Sequence, residues 1–84
     1  MVLKLMHLGT VRESWNGKRG HQEMDVAKLV DAEGECEAMF RWNLPVGAPK
    51  LKPQSIVQIR VKELGPGFNG SLRLRGDLMS GAGA

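Results

Sequence analysis

Residues 55–78, SIVQIRVKELGPGFNGSLRLRGDL, restrict the fold more than any other stretch, because polar and apolar residues alternate on both sides of a Gly-Pro-rich turn. In the first run Val57, Ile59 and Val61 fall on one side and Gln58, Arg60 and Lys62 on the other. In the second, Leu72, Leu74 and Leu78 share a side with Gly76 in the gap, and Arg73 and Arg75 lie opposite. Strand side chains alternate between faces, so a period of two predicts a half-buried hairpin. Its outward side reads as a ladder of four cations, Arg60, Lys62, Arg73 and Arg75, with no acid among them and with Phe68 at the turn. Such a surface suits a flexible polyanion, and nucleic acid is the first candidate.

Upstream, residues 2–12 (VLKLMHLGTVR) read as a first strand whose alternation breaks at Gly9, the mark of a bulge or sharp bend. Residues 13–20 (ESWNGKRG) read as a polar loop with its turn at Asn16-Gly17, and they expose Trp15, Lys18 and Arg19. A tryptophan in a short polar loop is costly unless the ring packs down or stacks on a ligand. Residues 21–30 (HQEMDVAKLV) fit a strand with Met24, Val26 and Val30 on one face. A helical turn also fits, and the strand is preferred because a turn and a clean alternating run follow at once. Residues 31–34 close a hairpin, and residues 35–43 (ECEAMFRWN) alternate strictly, predicting a strand with Cys36, Ala38, Phe40 and Trp42 on its core face. The converse orientation, with the aromatics displayed, stays open. Pro45, Pro49 and Pro53 rule out a regular helix in residues 44–54 and favour an extended surface connection.

Five strands and no helix in 84 residues predict a single all-β domain over residues 1–78, followed by a small-residue flexible tail at 79–84. Strands this short need closure to avoid long unpaired edges. A five-stranded antiparallel Greek-key barrel of the OB type meets that need, with the Pro-rich link standing where a helix often joins strands 3 and 4. An SH3-like barrel is the second choice. In an OB barrel the binding face is on strands 2–3, flanked by the 1–2 and 4–5 loops, which here hold Trp15, Lys18, Arg19 and Phe68. So small a core also favours a second copy of the chain as partner.

Charge divides the chain. Residues 50–84 hold six cations against Glu63 and Asp77, whereas residues 1–49 hold six cations against seven acids. One positive face and one neutral or acidic face follow. The acids Asp31, Glu33, Glu35 and Glu37 crowd one hairpin tip without calcium-loop spacing, so they read as a solvated tip that phosphates avoid. The single cysteine, Cys36, allows no intrachain disulfide and no Cys-based zinc site, which favours a reducing, cytoplasmic setting. No stretch has membrane-spanning length or the pattern of a signal peptide. His7 and His21 have no metal or catalytic partner set, although His21, beside Arg19, is a candidate for a weak phosphate contact. No nucleophile–base pair, carboxylate pair or phosphate-cradling Gly loop is visible, so neither catalysis nor a cofactor is expected.

Three places carry a resemblance. Gly17-Lys18 is followed six residues on from Gly17 by Glu23; a Pro/Gly-rich link, residues 44–54, runs into a valine-rich strand; and Gly67-Phe68-Asn69-Gly70-Ser71-Leu72 precedes the last strand. In these places the chain resembles the small single-stranded DNA-binding (helix-destabilising) proteins of filamentous bacteriophages, the gene V type. The resemblance implies an OB-like β-barrel homodimer that coats single-stranded DNA without catalysis during phage replication. It implies DNA contacts for Lys18 and Arg19 in a wing and for Phe68 in a loop. Arg19 and Gly20 stand where that family's wing carries an aromatic, and Trp15 is the candidate substitute from the other side of the turn. The expected site is therefore Trp15, Lys18, Arg19, Arg60, Lys62, Phe68, Arg73 and Arg75, with stacking on the rings and phosphates on the cations. An RNA-binding barrel and a protein-interaction module docking an acidic partner are the competing expectations.

Overall fold

A computed structural model describes residues 1–44 and 51–81, and of Phe68 and Ser80 only the backbone. Five strands form one sheet: β1 (Val2–Gly17), β2 (Gly20–Asp31), β3 (Phe40–Leu44), β4 (Ile56–Pro66) and β5 (Leu72–Gly81). The fold is all-β, with one 3-10 turn at Phe68–Gly70. The hydrogen-bonded order is β1-β2-β3-β5-β4, and β4 pairs in turn with β1. Four pairings are antiparallel, but β3 and β5 run parallel, where antiparallel pairing throughout was expected. The reason is topological: β4 reverses the chain between them, so β5 arrives beside β3 in the same direction.

The core is built from one side of each strand. Leu5, Ala27, Leu29, Phe40, Trp42, Leu51, Val57, Ile59 and Leu74 are buried together. Phe40 and Trp42 thus face inward, opposite Leu29 and Ala27. β2 forms as the strand expected; Ala27 and Leu29, on the face opposite Met24, Val26 and Val30, join the core cluster, and Val26 is buried on the other face. Both faces of residues 21–30 carry apolar side chains, so alternation alone could not choose between them.

Strand 3 is shorter than the expected 35–43. The Asp31 carboxylate accepts hydrogen bonds from the backbone N–H groups of Glu33, Glu35 and Cys36, each at 3.0 Å. A side chain that captures three nearby donors winds the backbone round itself and withdraws it from a ladder. Pairing resumes only at Phe40.

The shift of register between His7 and Gly9 confirms the predicted bulge. It lets β1 serve two neighbours, pairing with β4 over Val2 to Met6 and with β2 from Leu5 to Gly17. His7 is buried, and its ring anchors the chain that follows the proline-rich link. Nδ1 donates to the Lys52 carbonyl at 3.0 Å, and Nε2 lies 2.7 Å from the Thr10 hydroxyl. The backbone joins in, with Gln54 N–H donating to the His7 carbonyl. Leu51 is buried here, so this end of the link packs down instead of crossing the surface. Most of the link, residues 45–50, lies outside the described residues.

β1 and β2 continue beyond their neighbours as a two-stranded arm. Asn16 and Gly17 remain in β1, and the turn falls on Lys18 and Arg19, with Gly20 (φ 95°) in the left-handed region. The turn was expected at Asn16-Gly17, but the glycine whose backbone closes it is Gly20. At the other end, β5 runs to Gly81, so Ser80 and Gly81 pair with β4 where a tail was expected, and Met79 is the residue skipped at a register shift. Residues 82–84 lie outside the described residues. Among the described residues no helix is long and apolar enough to cross a membrane.

Candidate nucleic-acid interface

The register decides which side chains face outward on β2, β3 and β5. Lys28 and Arg41 oppose each other between the inward pairs Leu29–Phe40 and Ala27–Trp42, so both point out. The parallel pairing places Arg73 beside Arg41. Lys28, Arg41 and Arg73 therefore form one row across three adjacent strands. Neighbouring strands lie about 4.8 Å apart, so three like charges in a row repel one another and call for anions.

Among the described residues, one carboxylate forms an ion pair with this row: Glu13 on β1, which accepts a hydrogen bond from Nη2 of Arg41. The pair reaches across β2. Val26 stands on the outward side of β2 between them and is only 2% exposed. Two clefts meet at Arg41. One, of about 630 Å³, is lined by Glu13, Arg41, Asn43, Arg73 and the Pro66-Gly67 end of the β4–β5 connection. The other, of about 430 Å³, holds Lys28 and Met39 together with the carboxylate of Glu37, and is rimmed by Asn69 and Gly70 of the same connection.

The expected residues separate into three places. Trp15 is in β1, not in a loop; it lies opposite Gln22 on the same side of the arm as Glu13, and it is 43% exposed. Lys18 and Arg19 are exposed at the arm's tip. His21, next to them, is engaged with Asn16 at 3.3 Å and Glu23 at 3.5 Å. Arg73 is in the central row. Phe68 is in the 3-10 turn that rims the clefts, and its side chain lies outside the described residues.

The ladder on β4 and β5 is not acid-free. Lys62 Nζ is 3.0 Å from Asp77 Oδ2, and Arg75 Nη1 is 3.4 Å from Glu63 Oε2. Strict alternation puts Glu63 inward after Val57, Ile59 and Val61. A register shift between Val61 and Glu63 reverses the phase and sets Glu63 opposite Arg75. Asp77 follows Arg73 and Arg75 outward without any bulge, and stands opposite Arg60. Lys62 and Arg75 thus share a smaller, mixed-charge cleft of about 410 Å³ with these acids. Arg60 is exposed on β4 and, like Arg73, has no ion-pair partner among the described residues.

Lys28, Arg41 and Asn43 were missed as site residues. For Arg41 the signal was present, since alternation over residues 35–43 already sets it opposite Phe40 and Trp42. For Lys28 it was absent, because residues 21–30 carry apolar side chains on both faces. The acidic tip is engaged by its own backbone: Asp31 is spent on three N–H groups, and among the described residues no cluster of three or more metal-ligating side chains forms. Compared with family models, curated proteins and solved structures, the chain matches none.

Proposed function

We propose that this chain binds single-stranded DNA without sequence preference, holding phosphates on its cations and stacking bases on Trp15 and Phe68. The observation that carries the reading is the Lys28–Arg41–Arg73 row with its two clefts, set between an arm bearing an exposed tryptophan and the β4–β5 connection. Every base has a stacking face, and phosphate neutralisation is indifferent to sequence, so these residues suit a coating role. The strand order, with its parallel β3/β5 pair, supports an OB-type Greek-key barrel, whose binding face lies on strands 2 and 3. The same proposal includes kinship with the gene V type of phage protein, a non-catalytic part in DNA replication, and action in the bacterial cytoplasm. It also includes a homodimer, for which Val2, Leu8 and Ile56, exposed on β1 and β4, supply apolar surface.

Tryptophan fluorescence tests the reading directly. Trp42 is buried in the core and Trp15 is exposed, so quenching by oligo-dT reports Trp15. We expect strong quenching by oligo-dT, little by a matched duplex, partial reversal by salt, and loss of the signal in Trp15→Phe. Equal quenching by oligo-U would make the ligand RNA as much as DNA. Absence of binding to either at low salt would overturn the reading and leave the cations as a docking surface for an acidic protein.

A further inference from the structure

The carboxylate of Glu13 is out of place on a face that binds polyanions. It reaches over β2 to Arg41, the middle member of the three-cation row that the register builds across β2, β3 and β5. Of the ion-paired arginines Arg12, Arg41 and Arg75, Arg41 is the least exposed, its side chain 21% exposed, and it lines both of the clefts that meet on this face. Any strand that passes from one cleft to the other must cross it. Its flanking cations, Lys28 and Arg73, have no ion-pair partner among the described residues.

We infer that Arg41 is a phosphate site that the chain's own Glu13 carboxylate occupies in the free protein, and that a phosphodiester displaces Glu13 when the polyanion binds. This rests on the proposed single-strand binding. Glu13 takes one N–H of Arg41, whereas a guanidinium can donate two parallel bonds to a phosphate, so the exchange leaves the guanidinium at least as well satisfied. The incoming phosphate also meets Lys28 and Arg73, which the carboxylate leaves unneutralised, and this drives the exchange forward. In the free protein the pair screens the row and keeps Val26 covered. Glu13 thereby sets a threshold: isolated anions that cannot engage the neighbouring cations compete poorly with a tethered carboxylate, whereas a chain of phosphates does not.

The test is a double-mutant cycle on oligo-dT affinity with Glu13→Gln, Arg41→Gln and the double variant, after circular dichroism has shown that each folds. Glu13→Gln removes the competing charge and keeps the side chain's size. It is expected to bind roughly two- to fivefold tighter, the scale of a partly exposed ion pair. In the Arg41→Gln background the same change is expected to have no effect, because there is no guanidinium left to release. Weaker binding by Glu13→Gln would make Glu13 a positioning residue for Arg41 and overturn the exchange. An equal gain with and without Arg41 would reduce Glu13 to general repulsion and overturn it as well. If neither the unaltered chain nor any variant binds oligo-dT, the single-strand reading itself has failed, and that result is distinguishable from both.

Discussion

Gly76 shows how strongly a single residue can be fixed by its surroundings. A Cβ there would stand 2.2 Å from the Arg60 carbonyl oxygen and 3.1 Å from Ile59 Cγ2, at the point where β4 and β5 change register. Backbone cannot retreat as a flexible side chain can, so Gly76→Ala should lower unfolding stability by about 1–3 kcal/mol, the usual cost of overpacking. Urea denaturation would read it, and an unchanged midpoint would show that the strands move apart freely at this point. Asp31→Ala acts differently, by removing the acceptor of three backbone donors; we expect a loss of about 1–2 kcal/mol, as for a helix cap. Neither role was legible in the sequence. Gly76 looked like a gap in a strand, and Asp31 looked like one more charge on an acidic tip. Both depend on atoms brought close by pairing, and alternation carries no information about that. The cation ladder was read as acid-free for the same reason: one bulged residue inverts every later assignment on its strand and brings Glu63 out beside Arg75.

The elements themselves were more legible. Alternation around residues 55–78 predicted β4 and β5 and their inward faces, because one face of each run is apolar and the other polar. β2 was legible as a strand but not in orientation, since Met24, Val26 and Val30 compete with Ala27 and Leu29. The arm was not legible as such. Beyond Met6 on β1 and before Asp25 on β2, the two strands pair only with each other among the described residues. A two-stranded ribbon is marginal on its own, and its aromatic contributes little to the core. Trp15→Ala should therefore leave global stability within about 0.5 kcal/mol of the original, as for other surface changes. It should weaken oligo-dT binding by ~1–3 kcal/mol if a base stacks there. A large drop in thermal midpoint instead would show that the indole is a structural clasp of the arm.

Across the whole molecule, charge is sorted by strand pairing rather than by sequence segment. The excess of cations in residues 50–84 suggested that the β4–β5 hairpin carried the binding face. Pairing changes that balance, because Lys62 and Arg75 acquire Asp77 and Glu63, while Arg73 crosses to β3 and joins Arg41 and Lys28. Salt dependence separates the two faces. For single strands, the slope of log affinity against log salt is about −0.7 per phosphate neutralised. Arg73→Gln and Lys28→Gln should each make the slope shallower by about 0.7 and weaken binding at every salt concentration. Lys62→Gln and Arg75→Gln remove cations that already have acids, so their slopes should change by much less. A larger change from Lys62 and Arg75 than from Lys28 and Arg73 would place the polyanion on β4–β5 and detach it from the clefts around Arg41. The ranking is more informative than any one variant, because a cation distant from the strand still attracts it weakly, and only direct phosphate neutralisation changes the number of ions released.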